Sequence, residues 1–119
     1  MNTANRRAKD WIAAWNSHDI DRILALYADG AEMASPKIAA YGASPDGVLH
    51  GKENLRKYWS DALERQPALH FSLDRVFAAP DSVVLLYTDH RDHHVCEYLQ
   101  YGKAGEIIRA AAHHEAPAH

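Results

Sequence analysis

A chain of 119 residues, 47% of them apolar, has the material for one hydrophobic core and no room for a second domain. Its formal net charge of −3 removes the electrostatic drive toward nucleic acids or anionic membranes. The longest apolar run, Val83 to Tyr87, is far too short for a bilayer span. No apolar leader follows Met1, and the one cysteine, Cys96, cannot form an internal disulfide, so a reduced, cytoplasmic setting is expected.

In chain order, residues 4–17 predict a helix, because Ala4, Ala8, Trp11, Ile12 and Trp15 recur at helical spacing, with Thr3 placed to cap it. Asp19 is placed to cap a short second helix whose Ile20, Ile23, Leu24 and Tyr27 face inward, and Gly30 falls where a left-handed C-cap belongs. Residues 31–35 read as a short strand closed by Pro36. Residues 36–50, rich in Pro, Gly, Ala and Ser, read as a long loop suited to a lid or binding role. A third helix is expected over 52–64, with Leu55, Tyr58, Trp59, Ala62 and Leu63 on one face and Pro67 stopping it.

Beyond Pro67 the pattern becomes that of strands. Residues 69–79 alternate, with Phe71, Leu73 and Phe77 on one face. Strands are expected over 82–91, 94–101 and 106–114, joined at Arg91-Asp92-His93 and at Gly102-Lys103-Ala104-Gly105, with a short frayed tail over 115–119. Helices followed by an antiparallel meander make an α+β domain spanning 1–119, with three N-terminal helices on one face of a curved sheet and a cone open to solvent between them.

Several segments carry a family resemblance. Residues 11–21, WIAAWNSHDID, are similar to the first-helix signature of the SnoaL-like branch of the nuclear-transport-factor-2-like (NTF2-like) superfamily. Residues 24–31, LALYADGA, resemble its second-helix motif, residues 51–59, GKENLRKYW, its third, and residues 105–109, GEIIR, its last strand. The resemblance implies the cystatin-like α+β cone, on which isomerases, cyclases, hydrolases, dehydratases and non-catalytic modules all occur. Ketosteroid isomerases on this fold use an Asp base before a proline, with a tyrosine and a protonated carboxylic acid holding the oxyanion. By that resemblance the base position falls on Ser35, the tyrosine on Trp11 and the acid on Glu97. Serine is no base near neutral pH, so the resemblance does not extend to a steroid isomerase.

If Glu97 faces the cone, strand alternation turns Val95, Leu99 and Tyr101 inward with it. Alignment by the same resemblance adds Val84, Leu86, Thr88 and His90, and Ile108, Ala110, Ala112 and His114. Trp11, Trp15, Tyr58 and Trp59 come from the helices. The expected catalytic set is Glu97 with His90 or His114, a carboxyl–imidazole device for moving a proton on a carbonyl-bearing ligand. The expected lining is Trp11, Trp15, Ser35, Tyr58, Trp59, Leu86, Thr88, Leu99, Tyr101 and Ala112. A non-catalytic reading, in which Glu97 anchors Tyr58 or an indole N–H, stays open beside it. The histidines at 90, 93, 94, 113 and 114 match no established metal motif, so no metal or cofactor is expected. Val83, Leu85 and Tyr87 are expected on the outer face, covered by a second copy of the chain, as SnoaL-like relatives commonly dimerise. The expected partner is a small apolar or aromatic molecule, not nucleic acid or membrane.

Overall fold

The structure, a computed structural model, describes residues 3–116. The elements run α1 (Thr3–Asn16), α2 (Ile20–Leu24), β1 (Tyr27–Ala34), α3 (Pro36–Ala40), β2 (Val48–His50), α4 (Lys52–Arg65), β3 (Ser72–Ala78), β4 (Ser82–Thr88), β5 (His94–Tyr101) and β6 (Ile107–His114). The strands form one six-stranded curved sheet in the order β2-β1-β6-β5-β4-β3. β1 runs parallel to β6 and every other pair is antiparallel.

The helices form where the apolar spacing demands. In α1, Ala4, Ala8, Trp11, Ile12 and Trp15 are all buried. α1 packs on β3 and β4, and α4 on β1 and β2. α2 starts at Asp19, whose carboxylate accepts the backbone N–H groups of Asp21 and Arg22. α4 buries Leu55, Trp59 and Leu63 and ends at Arg65, since Gln66, preceding Pro67, is turned out of the helical region.

Several expectations change. Gly30 is no helix cap but lies within β1, with no positive φ, and Tyr27 opens that strand instead of ending a helix. The segment 36–50 is not structureless. It holds α3, capped by the Ser35 hydroxyl through the Lys37 backbone N–H, and the short strand β2, which makes four helices in place of three among the described residues. In β3 the register slips between Leu73 and Arg75, which reverses the alternation and leaves Phe77 47% exposed while Val76 packs on the core. A second slip, between Gln100 and Tyr101, pairs Tyr101 with Ile107 and sends Ile108 outward. Within the expected tail, 117–119 lies outside the described residues.

The largest correction is the face of β4. Leu85 pairs with Glu97 and Tyr87 with Val95, so Val83, Leu85 and Tyr87 are the buried side. Val84, Leu86 and Thr88 face outward. The turn between β4 and β5 is longer than expected. Asp89 accepts the backbone N–H groups of Arg91 and His93, both at 2.9 Å, and Asp92 takes φ 62°. Asp tolerates that left-handed conformation better than most residues.

Candidate functional site

A cavity of about 110 Å³ opens between α1, α4 and the concave face of the sheet. Its wall is aromatic because α1 and α4 each place indoles toward the sheet. The Trp11 ring stacks near Phe71 at 5.8 Å, Trp15 meets Trp59 edge-on at 5.2 Å, and Tyr27 lies 4.9 Å from Trp59. Phe71 and Tyr87 close the far side at 4.4 Å.

Glu97 enters this ring-lined space from β5. Register makes it inevitable: with Val95 and Leu99 buried on the same strand, position 97 shares their face. Its side chain is 1% exposed. Oε1 accepts the Tyr87 hydroxyl at 3.2 Å, whereas Oε2 is buried with no hydrogen-bond partner. Burial pushes the carboxyl group up to about 8, against a smaller opposing effect of the Tyr87 bond. Glu97 is therefore predominantly an uncharged acid at neutral pH, with an O–H to give. Tyr87 and Tyr27 are both held well above the ordinary phenol range, first by burial and then by the Glu97 charge, so both remain protonated.

The indoles divide their roles. Trp11 Nε1 donates to the Tyr27 hydroxyl at 2.9 Å. Trp15 Nε1 favours ionisation of the same hydroxyl but makes no well-aligned hydrogen bond and is buried without a partner. His90 lines the cavity too, and its Nδ1 is buried and unpartnered. Buried polar atoms are almost always satisfied, and the unpartnered ones on Glu97, Trp15 and His90 converge on this single cavity.

Of the expected residues, Trp11, Trp15, Tyr58, Trp59, Ala112, Glu97, His90 and His114 line the cavity. Leu86 and Thr88 do not: they sit on the outer face, where the Thr88 hydroxyl donates to Asp74. Ser35 is buried but its hydroxyl is spent capping α3. Leu99 is buried in the core behind the cavity, and Tyr101 packs under the Arg7 guanidinium, 4.0 Å from its ring centroid. Glu97 and the imidazoles share the cavity without a hydrogen bond between them, because the carboxyl's bonded partner is Tyr87. His114 is held below the ordinary imidazole range, by burial first and by the Lys37 charge second. Among the described residues no cluster of metal-ligating side chains forms.

Tyr87, Phe71, Lys37 and Asp89 also line the cavity and were not anticipated there. The signal for Tyr87 lay in the turn: five residues, 89–93, separate the paired Thr88 and His94, and that spacing puts 87 on the face of 95 and 97.

The SnoaL-like domain profile matches residues 8–115. The chain belongs to the SnoaL-like family. A SnoaL-like protein of unknown function from Burkholderia thailandensis is 39% identical, with 95% of this chain and 94% of that one covered at a TM-score of 0.90. At the level of fold alone, a candidate isomerase of the SnoaL-like family from Agrobacterium tumefaciens superposes at a TM-score of 0.78 with 13% identity, covering 98% of this chain and 100% of that one. TerC, crystallised with polyporic acid, superposes at 0.78 with 15% identity over 96% and 92% of the two chains. No curated protein matches. The SnoaL-like and NTF2-like matches agree with the α+β architecture described above. No helix among the described residues is long and apolar enough to cross a membrane.

Proposed function

We propose that this SnoaL-like protein is an acid–base catalyst of the isomerase, cyclase or lyase type, acting on a small, mostly apolar, carbonyl-bearing molecule. The observation that carries the reading is the fully buried Glu97 with Oε2 free inside an aromatic cavity. Tyr87 holds Oε1, so the acidic proton sits on Oε2, where it can meet a carbonyl oxygen. As a proton leaves the carbon beside that carbonyl for the free nitrogen of His90, negative charge develops on the oxygen. The Glu97 proton moves onto it, leaving an enol and a Glu97 carboxylate. Return of the imidazole proton to a different carbon, and of the enol proton to Glu97, completes an isomerisation with atoms balanced. His114, kept neutral by burial and Lys37, is the alternative acceptor. The volume limits the ligand to about one ring, since a void of about 150 Å³ admits benzene. That a protein of this fold crystallises with polyporic acid supports a small-molecule pocket here.

The test uses cyclohex-3-enone, a single-ring ketone whose conversion to the conjugated 2-enone is followed by ultraviolet absorbance. The protein should accelerate it above buffer, and Glu97→Gln should lower that rate about 100-fold while leaving the fold intact. A rate indifferent to Glu97→Gln removes the carboxyl from the mechanism.

A second reading, a binding module without chemistry, is favoured by Ser35. The residue at the family's base position is no base, does not line the cavity and caps a helix instead. It predicts ligand binding with no turnover of any enolisable ketone. In either case we propose a cytoplasmic homodimer through the outer face of the sheet, now assigned to Val84, Leu86, Cys96, Tyr98 and Ala111.

A further inference from the structure

The cavity's mouth carries a charge that the proposed chemistry does not use. Lys37 stands on α3, the element inserted in the segment 36–50, and is half-buried against the cavity beside His114. Among the described residues its ammonium group makes no ion pair. Its aliphatic stem packs against the cavity while the charged end is left free to meet water or an anionic group of a ligand.

The other charged or titratable groups at the mouth do not supply the partner. Asp89 lines the same cavity, but its carboxylate is committed to the turn. It accepts the Arg91 and His93 backbone N–H groups and sits 3.6 Å from the His93 ring. His90 and His114, being imidazoles, supply no negative charge, and Glu115, in the groove that continues outward past Lys37 and His114, makes no ion pair with Lys37. The cavity thus has an acid O–H at its floor, rings along its walls and, at the rim, an ammonium that forms no ion pair beside the Asp89 carboxylate held by its own turn.

We infer that Lys37 is the specificity-determining anchor for a carboxylate on the ligand, and that the substrate class is a flat, single-ring carboxylic acid bearing a carbonyl or phenolic oxygen at its opposite end. This rests on the pocket reading given above and narrows it. The ring fills the aromatic walls, the far oxygen takes the Glu97 proton, and the carboxylate stays at the mouth, where it keeps part of its hydration and pairs with Lys37. An ionised group could not go deeper, because burying it beside Glu97 would cost far more than the pairing returns.

The probes are 4-hydroxybenzoate, its neutral methyl ester and phenol, with binding followed by calorimetry at low salt in wild type, Lys37→Met and Glu97→Gln. Methionine keeps the apolar stem of residue 37 and deletes the charge. Wild type should bind 4-hydroxybenzoate about five- to ten-fold more tightly than the ester, the preference shrinking as salt is raised. Lys37→Met should abolish that preference and leave phenol affinity unchanged. Phenol binding that is sensitive to Glu97→Gln, together with no advantage for the carboxylate or an advantage that survives Lys37→Met, overturns the anchor and leaves the pocket reading standing. If none of the three binds, the pocket reading fails and the anchor with it.

Discussion

A carboxylic acid at position 97 ties the stability of the molecule to pH. Unfolded, Glu97 titrates near 4.5; folded, its group is pushed up to about 8. Below both values the side chain is protonated in either state and costs nothing through its charge. Between them the unfolded chain releases the proton and the native chain keeps it, so the folded state binds more protons and stability falls as pH rises. Above both the penalty is complete and stops growing. Across pH 5 to 8 this amounts to roughly 4 kcal/mol at most. Glu97→Gln removes the titration. Its amide introduces a donor of its own into the cavity, so the absolute stability of the variant is a poor readout, but the difference from wild type should move in the variant's favour as pH rises through this window. Denaturant unfolding at several pH values measures it, and parallel curves for the two proteins would show that Glu97 is charged or solvated in the fold. A buried acid of this kind costs the fold stability, the trade that the proposed catalytic role would require.

At the scale of elements, the same physics explains what could and could not be read from the residues. The helices α1 and α4 were legible because a 3.6-residue period leaves no doubt about which side is buried: Trp11, Trp15, Leu55, Trp59 and Leu63 all point where their spacing requires. β5 was legible as well, because Val95, Leu99 and Tyr101 recur at alternate positions and are buried, which carries Glu97 inward with them. β4 was not, because Val83 to Tyr87 is apolar on both sides and alternation then carries no information about direction. Only the length of the turn decides it, and one residue either way exchanges Tyr87 for Leu86 in the cavity. The slips in β3 and between β5 and β6 were invisible for a related reason, since a bulge leaves local composition unchanged. The turn after β4 is therefore what aims Tyr87 and His90 into the cavity, and Asp89 holds it with two bonds to backbone N–H groups. Asp89→Ala should cost about 1–2 kcal/mol and shift the His90 imidazole resonances. A loss under a few tenths of a kcal/mol with unmoved resonances would mean that the turn is set by chain length alone.

For the molecule as a whole, the sheet poses a question its concave side does not. Helices cover that side, yet the convex side also carries apolar groups. Val84 and Leu86 come from β4, Cys96 and Tyr98 from β5 and Ala111 from β6, none of them fully buried. In an antiparallel sheet with one face in water, such positions are ordinarily polar. The edge is blunted only in part, because Phe77 on β3 stands 47% exposed with the Arg75 guanidinium 5.1 Å from its ring centroid. A second copy laid across this face by a two-fold axis covers the same residues on both chains at once, and a stable interface of that kind removes roughly 800 Å² per partner. Leu86 lies on this convex face, on the strand next to the edge. Leu86→Lys puts a charge from each chain into the proposed interface and lies outside the cavity, so ligand binding by the dissociated chain should persist. Light scattering over a dilution series should show the wild type at twice 13.3 kDa and the variant dissociating at concentrations at least about ten-fold higher than wild type requires. A wild type that stays at the single-chain mass at high concentration would leave the convex face to some other partner and withdraw the two-fold assembly.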